Sequence, residues 1–319
     1  MIQNILLLVV GVIGLMVGGN WLVKGASRLA SALGVSALII GLTVVALGTS
    51  APELLVSLTA ALAGLGDVTL GNVVGSNIAN IGLIMALSAL IAPIALNWRV
   101  LRREIVFLIA FTLFTALLSW DGVINRVDGV ILLVCYVVYT IVIYTQARRE
   151  RSEIEPELTT YETERQLTRR ASPLFEAGRL LLGLVVLVIG ARVFVDSAVY
   201  IAREVGLSEL VIGVTLVAVG TSLPELVTCL IAARRRESDI VMGNILGSNI
   251  SNLLVILGIV AIIQPVNVPA LMLSVEYPVM IGFAVLVLPL ALRRQLNRVV
   301  ALALLGLYVG FVVLTLTRV

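Results

Sequence analysis

The chain has 319 residues, 60% of them hydrophobic and only 13% charged, with a formal net charge of +3. A soluble domain of this length carries about twice that share of charge, so a water-exposed globular fold is excluded. There is no histidine, which removes His-ligated zinc and haem, His proton relays and the usual general base. The basic residues sit at the ends of apolar runs rather than in one patch, so nucleic acid is not an expected partner.

Apolar runs of roughly 18–25 residues recur along the chain, each long enough to cross a bilayer as a helix. They predict ten spans, at 4–23, 35–64, 69–93, 104–120, 128–146, 178–197, 208–233, 240–264, 275–292 and 297–316. The first has no basic flank and no small-residue cleavage site, so it reads as a retained span rather than a signal peptide. Lys24, Arg28, Arg99, Arg102, Arg103, Arg148, Arg149, Arg151, Arg165, Arg169, Arg170 and Arg179 fall on one side if the N-terminus is outside. So do Arg234, Arg235, Arg236, Arg293, Arg294 and Arg298. Arg126, Arg192, Arg203 and Arg318 fall at or near the other. The excess of positive charge on cytoplasmic loops then places both termini outside a cell (inner) membrane and residues 147–177 in the cytoplasm. That segment carries mixed charge and is expected to be a linker or a short solvated helix. Cys135 and Cys229 lie in apolar segments and read as two thiols, not a disulfide.

Residues 41–84 recur at 213–256, 172 positions later and without a gap, with 22 of 44 residues identical. The shared residues are Gly-Thr-Ser-x-Pro-Glu and Gly-Asn-x-x-Gly-Ser-Asn-Ile-x-Asn. Hydrocarbon penalises such polar groups, so their paired recurrence points to one site built from two halves. Five spans per half is odd, so the second half enters the membrane inverted. The expected fold is an all-α polytopic membrane protein of ten transmembrane helices in two five-helix inverted-topology repeats, 1–146 and 178–319, joined by the 147–177 loop.

Glu53 and Glu225 lie within long apolar spans, where a carboxylate costs roughly 2.5–3.5 kcal/mol on insertion scales. Their equivalence in the two repeats argues for function. Pro52 and Pro224 cannot donate to the carbonyls of Gly48 and Gly220. The helices should therefore loosen there, with freed carbonyls near Ala46–Thr49 and Ala218–Thr221. Such irregular backbone is tolerated at depth only when it is buried or lines a cavity. Asn72, Ser76 and Asn80 share one helical face, as do Asn244, Ser248 and Asn252. Ser76, Asn80, Ser248 and Asn252 read as ligands. Asn77 and Asn249 are equally compatible with ligation and with packing. Gly71, Gly75, Gly243 and Gly247 should allow close helix approach. Asp67 and Asp239 read as helix N-caps. All the candidates are hard oxygen donors, suited to Na⁺, Ca²⁺ or Mg²⁺ rather than zinc or copper. Two ionised carboxylates are neutralised by one Ca²⁺ or by two Na⁺, so the two ions can compete for one site.

At these motifs the chain resembles the cation/calcium exchanger superfamily, specifically prokaryotic proteins of the sodium/calcium exchanger type. The resemblance covers nearly the whole chain, and residues 41–84 and 213–256 are similar to that family's two alpha-repeats. It implies ion sites at the membrane centre with Glu53 and Glu225 shared. Hydroxyl ligands would be Thr49, Ser50, Ser76, Thr221, Ser222 and Ser248, with backbone oxygens of Ala46 and Ala218 and the amide of Asn80. It also implies exchange of three Na⁺ for one Ca²⁺ while spans 1 and 6 slide across the core. Some archaeal-type members carry Asp where this chain has Asn252. An Asp beside two glutamates is pushed toward its neutral form by like charge, and Asn mimics that form.

The expected function is thus secondary antiport of Na⁺ and Ca²⁺, with H⁺-coupled antiport of Ca²⁺ or another cation as the alternative. No cofactor and no protein partner is called for; the partners are the transported ions and the bilayer. A channel would more often use rotational symmetry than an inverted repeat. An intramembrane hydrolase would need a Ser–His pair, a zinc motif or two membrane aspartates, so an enzyme is not expected.

Overall fold

The computed structural model describes residues 2–162, 172–206, 218–293 and 295–317. The first half runs through α1 (Ile2–Leu33), α2 (Ala37–Ile40), α3 (Ala46–Thr49), α4 (Ala51–Leu62), α5 (Gly66–Ala79), α6 (Met85–Ile91), β1 (Ile94–Ala95), α7 (Trp98–Leu118), β2 (Val123–Ile124) and α8 (Arg126–Glu162). The second runs through α9 (Pro173–Glu204), α10 (Ala218–Thr221), α11 (Leu223–Arg234), α12 (Ser238–Ser251), α13 (Leu257–Ile263), β3 (Val266–Asn267), α14 (Tyr277–Ala291), β4 (Gln295–Leu296) and α15 (Arg298–Leu316). Wider π-turns at Gly41–Val45, Asn80–Ile84, Asn252–Ile256 and Met272–Glu276 keep several of these short helices continuous as longer rods.

Among the described residues, eight helices are long and apolar enough to cross a membrane. A ninth span is broken, with Ala37–Thr49 and Ala51–Leu62 bent by 43°. The protein is a multi-pass helical membrane protein. Of the expected span 208–233, residues 208–217 lie outside the described residues, and α10 and α11 form the rest. Arg165, Arg169, Arg170, Arg294 and Arg318 also lie outside them.

The offset of 172 residues governs more than the motifs. The bounds of α4 and α11, α5 and α12, α6 and α13, and of β1 and β3, are each separated by it. Strand pairing crosses between the halves: β1 pairs antiparallel with β4 (Ile94 opposite Leu296), and β2 with β3 (Val123 opposite Asn267). Each two-residue clip ties a loop of one half to a loop of the other.

The core is built on the rods Gly66–Ile91 and Ser238–Ile263, whose most apolar windows are 67% and 83% buried. Gly243 and Gly247 deliver the expected close approach: a Cβ there would meet Leu38 O at 2.6 Å and Leu42 O at 2.5 Å. The segment that would oppose Gly71 and Gly75 in the repeat register, around 210–217, lies outside the described residues. By contrast, α1 and α9 are largely peripheral, 28% and 33% buried in their apolar windows. They pack on each other backbone to backbone. A Cβ on Gly18 would sit 2.4 Å from Leu187 N, and one on Gly183 2.4 Å from Leu22 N. Small residues of this kind let helices associate in lipid, where the hydrophobic effect between them is absent.

One expectation needs correction and another is narrowed. Asp67 and Asp239 are not N-caps: α5 and α12 begin at Gly66 and Ser238, so the two aspartates lie inside the first turn. There they still face the positive end of the helix dipole. Of the linker and short-helix readings of the 147–177 segment, its described ends take the helical one: α8 continues to Glu162 and α9 starts at Pro173. Within it, Glu176 is buried, held by Arg28 of α1 at 3.4 Å and by Arg179 at 2.8 Å. The two arginines together make that burial tolerable, with Arg179 the nearer. Cys135 and Cys229 are free thiols, as expected.

Candidate functional site between the two halves

The Thr-Ser-x-Pro-Glu motif makes a helix end at its Ser and restart one residue later. Ser50 (φ −81°, ψ 8°) closes α3 and Pro52 stands in the first turn of α4, where its missing N–H has no partner to lose. Glu53 occupies the same turn, facing the positive end of the new helix. Ser222, Pro224 and Glu225 repeat this at α11. Two helix N-termini, each carrying a glutamate, thus arise inside the protein, and Glu53 and Glu225 are only 1% and 2% exposed.

The serine at each break occupies the N-cap position but makes no side-chain cap. Its hydroxyl crosses to the other half instead. Ser50 Oγ donates to Glu225 Oε1 at 2.9 Å, and Ser222 Oγ donates to Glu53 Oε1 at 3.1 Å. Ser76 Oγ lies 3.5 Å from Ser222 Oγ. Thr49 Oγ1 is shared between Ala46 O at 3.3 Å and Asn244 Oδ1 at 3.1 Å. Thr221 is buried at the matching position, and Ser248 is fully buried.

Asn77 and Asn249 face each other across the halves. Each amide nitrogen donates to the other's backbone carbonyl at 3.2 Å. Asn80 Nδ2 donates to Asn249 Oδ1 at 2.8 Å, and Asn252 Nδ2 donates to Asn77 Oδ1 at 3.0 Å. Every one of these four residues is 1% exposed. Asn80 and Asn252 each open a π-turn, a local widening common where a side chain is re-aimed.

The oxygens left over carry the chemistry. Among the described residues, Glu53 Oε2, Glu225 Oε2, Asn80 Oδ1, Asn252 Oδ1 and Ser248 Oγ are buried without a hydrogen-bond partner. Such an atom costs about 1–3 kcal/mol, more when charged. The hydroxyls of Ser88, Thr115, Tyr139 and Thr228 are also unpartnered, but hydroxyls can rotate toward a carbonyl. Carboxylate and amide oxygens are acceptors only, and between the halves they come as two equivalent pairs; Glu104 on α7, bound by Arg103 at 3.0 Å, stands outside this set. Four hard acceptors plus a hydroxyl, with no thiolate or imidazole among them, form a donor set for alkali or alkaline-earth cations.

One expected ligand stands differently. Ala46 O, expected to be freed by the proline, accepts from Ser50 N at 3.0 Å as well as from Thr49 Oγ1. The proline removes the donor four residues after Gly48, two positions further on. Ala218 opens α10 at the equivalent place. Sequence reasoning also passed over Asn72 and Asn244 as part of the framework. Asn72 Nδ2 donates to Glu53 O at 3.1 Å and Ser57 Oγ at 2.9 Å, bracing the first turn of α4. Asn244 Nδ2 donates to Cys229 Sγ at 3.3 Å while its oxygen receives Thr49. The signal was their place on the Ser76 and Ser248 faces.

Residues 3–145 and 175–317 each match the model of the sodium/calcium exchanger protein family. The chain belongs to that family. It is 37% identical to the putative antiporter CaxA of Alkalimonas amylolytica, over 98% of both chains. It is 37% identical to the inner membrane protein YrbG of Escherichia coli, over 96% of this chain and 94% of that one. It is 32% identical to the sodium/calcium exchanger MaX1 of Methanosarcina acetivorans, over 97% of both. A solved structure of the sodium-calcium exchanger NCX_Mj superposes with a TM-score of 0.84 at 33% identity, covering 97% of each chain.

Proposed function

We propose that this exchanger-family protein is a secondary active antiporter that moves Ca²⁺ against Na⁺ through the site between its halves. The observation that carries the reading is the set of buried acceptor oxygens without donors on Glu53, Glu225, Asn80, Asn252 and Ser248. A cation satisfies them all at once. Ser50, Ser76, Thr49, Ser222 and Thr221 complete the wall of the site, with the backbone at Ala46 and Ala218 behind it. The two glutamates supply two negative charges, which one Ca²⁺ or two Na⁺ neutralise. Among the described residues no three Asp, Glu, His or Cys side chains cluster, which agrees with ligation by amides and hydroxyls rather than a carboxylate cage.

Alternating access supplies the transport step. Two five-helix halves of opposite orientation, ten spans in all with both termini extracytoplasmic, would present the same site to either face. The pairing of α1 with α9 through Gly18 and Gly183 makes these helices one peripheral body, suited to move against the buried rods α5–α6 and α12–α13. An empty site leaves the carboxylates uncompensated, so the movement is favourable only when cations fill it. That is the physical condition for exchange rather than leak.

The test is uptake of radiolabelled Ca²⁺ into proteoliposomes, with an outward Na⁺ gradient compared against an outward H⁺ gradient. Uptake driven by Na⁺ is the expected result. Uptake driven only by H⁺ moves the protein to proton coupling, and none under either gradient overturns Ca²⁺ as the substrate.

A further inference from the structure

Asn77 and Asn249 are packing residues or parts of the site; the sequence alone leaves both open. The hydrogen bonds decide between them. A planar amide with its nitrogen anchored has its oxygen direction fixed, because turning the group over would set oxygen against oxygen. Asn80 is anchored in this way by Asn249 Oδ1 at 2.8 Å, and Asn252 by Asn77 Oδ1 at 3.0 Å. The result is that Asn80 Oδ1 and Asn252 Oδ1 are the amide oxygens left buried without a donor among the described residues.

The anchors are themselves fixed. Asn77 and Asn249 donate to each other's backbone carbonyls at 3.2 Å, so neither amide can turn without breaking a bond to the other half. Asn77 Nδ2 has a further acceptor in Met280 Sδ at 3.7 Å. The wiring is crossed: the inner amide of each repeat holds the outer amide of the other.

We propose that Asn77 and Asn249 are positioning residues that aim the amide oxygens of Asn252 and Asn80 into the cation site, each acting on the opposite repeat. The ionic part of this rests on the function proposed above; the wiring does not. Residues that merely filled space between α5 and α12 would show no preference for one partner amide over the other. Crossed anchors do. Removing Asn77 disorients Asn252 and leaves Asn80 held; removing Asn249 does the reverse.

Double-mutant cycles on the full-length protein in detergent test this, with two readouts. One is the Ca²⁺ concentration that half-saturates binding of the radiolabelled ion; the other is the thermal unfolding midpoint in ion-free buffer. Asn77→Ala and Asn249→Ala should each weaken Ca²⁺ binding by about tenfold, the size expected for losing one buried hydrogen bond that orients a ligand. In the crossed pairs, Asn77→Ala with Asn252→Ala and Asn249→Ala with Asn80→Ala, the losses should fall short of the product of the single losses. In the same-repeat pairs, Asn77→Ala with Asn80→Ala and Asn249→Ala with Asn252→Ala, they should multiply. Equal coupling in all four pairs, or none in any, overturns the proposal. If the alanine variants elute as aggregates, Asn77→Ser and Asn249→Ser take their place in the same cycles. Should the unsubstituted protein bind no Ca²⁺, the transport reading falls, and the ion-free unfolding cycles still decide the wiring by the same crossed pattern.

Discussion

Residues 62–66 and 234–238 occupy the same place in the two halves, and their backbones agree closely. Gly64 and Arg236 both take a left-handed conformation, with φ of 75° and 61°. Gly64 N donates to Ala61 O and Leu65 N to Ala60 O, both at 2.9 Å; Arg236 N donates to Ala233 O and Glu237 N to Ala232 O at the same distance. The side chains have nothing in common. The first turn reads Leu-Ala-Gly-Leu-Gly and the second Arg-Arg-Arg-Glu-Ser. Arg235 reaches Asn20 of α1 at 2.8 Å, Ser27 of α1 donates to Glu237 at 3.0 Å, and Ser238 receives Ala95 N at 3.0 Å. Duplication has kept the chain path, while the side chains have followed what each turn meets. At the centre, where the two copied motifs face each other across the halves, backbone and side chains are both kept.

Changes at the copied centre should therefore cost most and changes at the divergent turns least. Gly247→Val drives a side chain into Leu42 O and Ala46. Overpacking of this kind costs roughly 1–3 kcal/mol, read as a fall of several degrees in the thermal midpoint; an unchanged midpoint would deny that the approach is close. Asn252→Asp replaces the amide that donates to Asn77 Oδ1 by a carboxylate facing another acceptor. Ca²⁺ uptake should then acquire a new pH dependence, weakening as the acid ionises against Asn77; an unaltered pH profile and affinity would take Asn252 out of the site.

At the turns the effects shrink. Ser27→Ala combined with Arg235→Ala frees α1 from the second turn. Solvent-accessible hydrogen bonds of this kind contribute about 1 kcal/mol or less each, so the thermal midpoint should move little. A loss as large as that of Gly247→Val would contradict the division between centre and periphery. Arg236→Gly relieves a left-handed arginine and should stabilise by up to about 1 kcal/mol, seen as a small rise in midpoint.

Much of this was legible in the sequence because the physics is local. Pro52 and Pro224 fix the helix breaks, and Glu53 and Glu225 stand out against hydrocarbon. The unbroken offset of 172 residues announces two equivalent halves. What was not legible depends on residues far apart in the chain. Ser50 and Ser222 read only as hydroxyl ligands, yet each also holds the glutamate of the opposite half. Asn77 and Asn249 could not be told from packing residues until each met the other's backbone. Glu176 looked like part of a polar linker until Arg28, 148 residues earlier, came beside it. The π-turns at Asn80 and Asn252 have no composition signal, since they answer to how the two rods pack.

The central claim is that Glu53 and Glu225 hold one cation site in common. Equilibrium binding of radiolabelled Ca²⁺ to the purified protein tests it directly, comparing the unsubstituted chain with Glu53→Gln and with Glu225→Gln under conditions where all three elute as intact protein. The account predicts saturable binding that Na⁺ displaces, and its loss in either variant alone, because each glutamate is bonded to the serine of the other's motif and the two form one unit. Undiminished Ca²⁺ binding in both variants would contradict it.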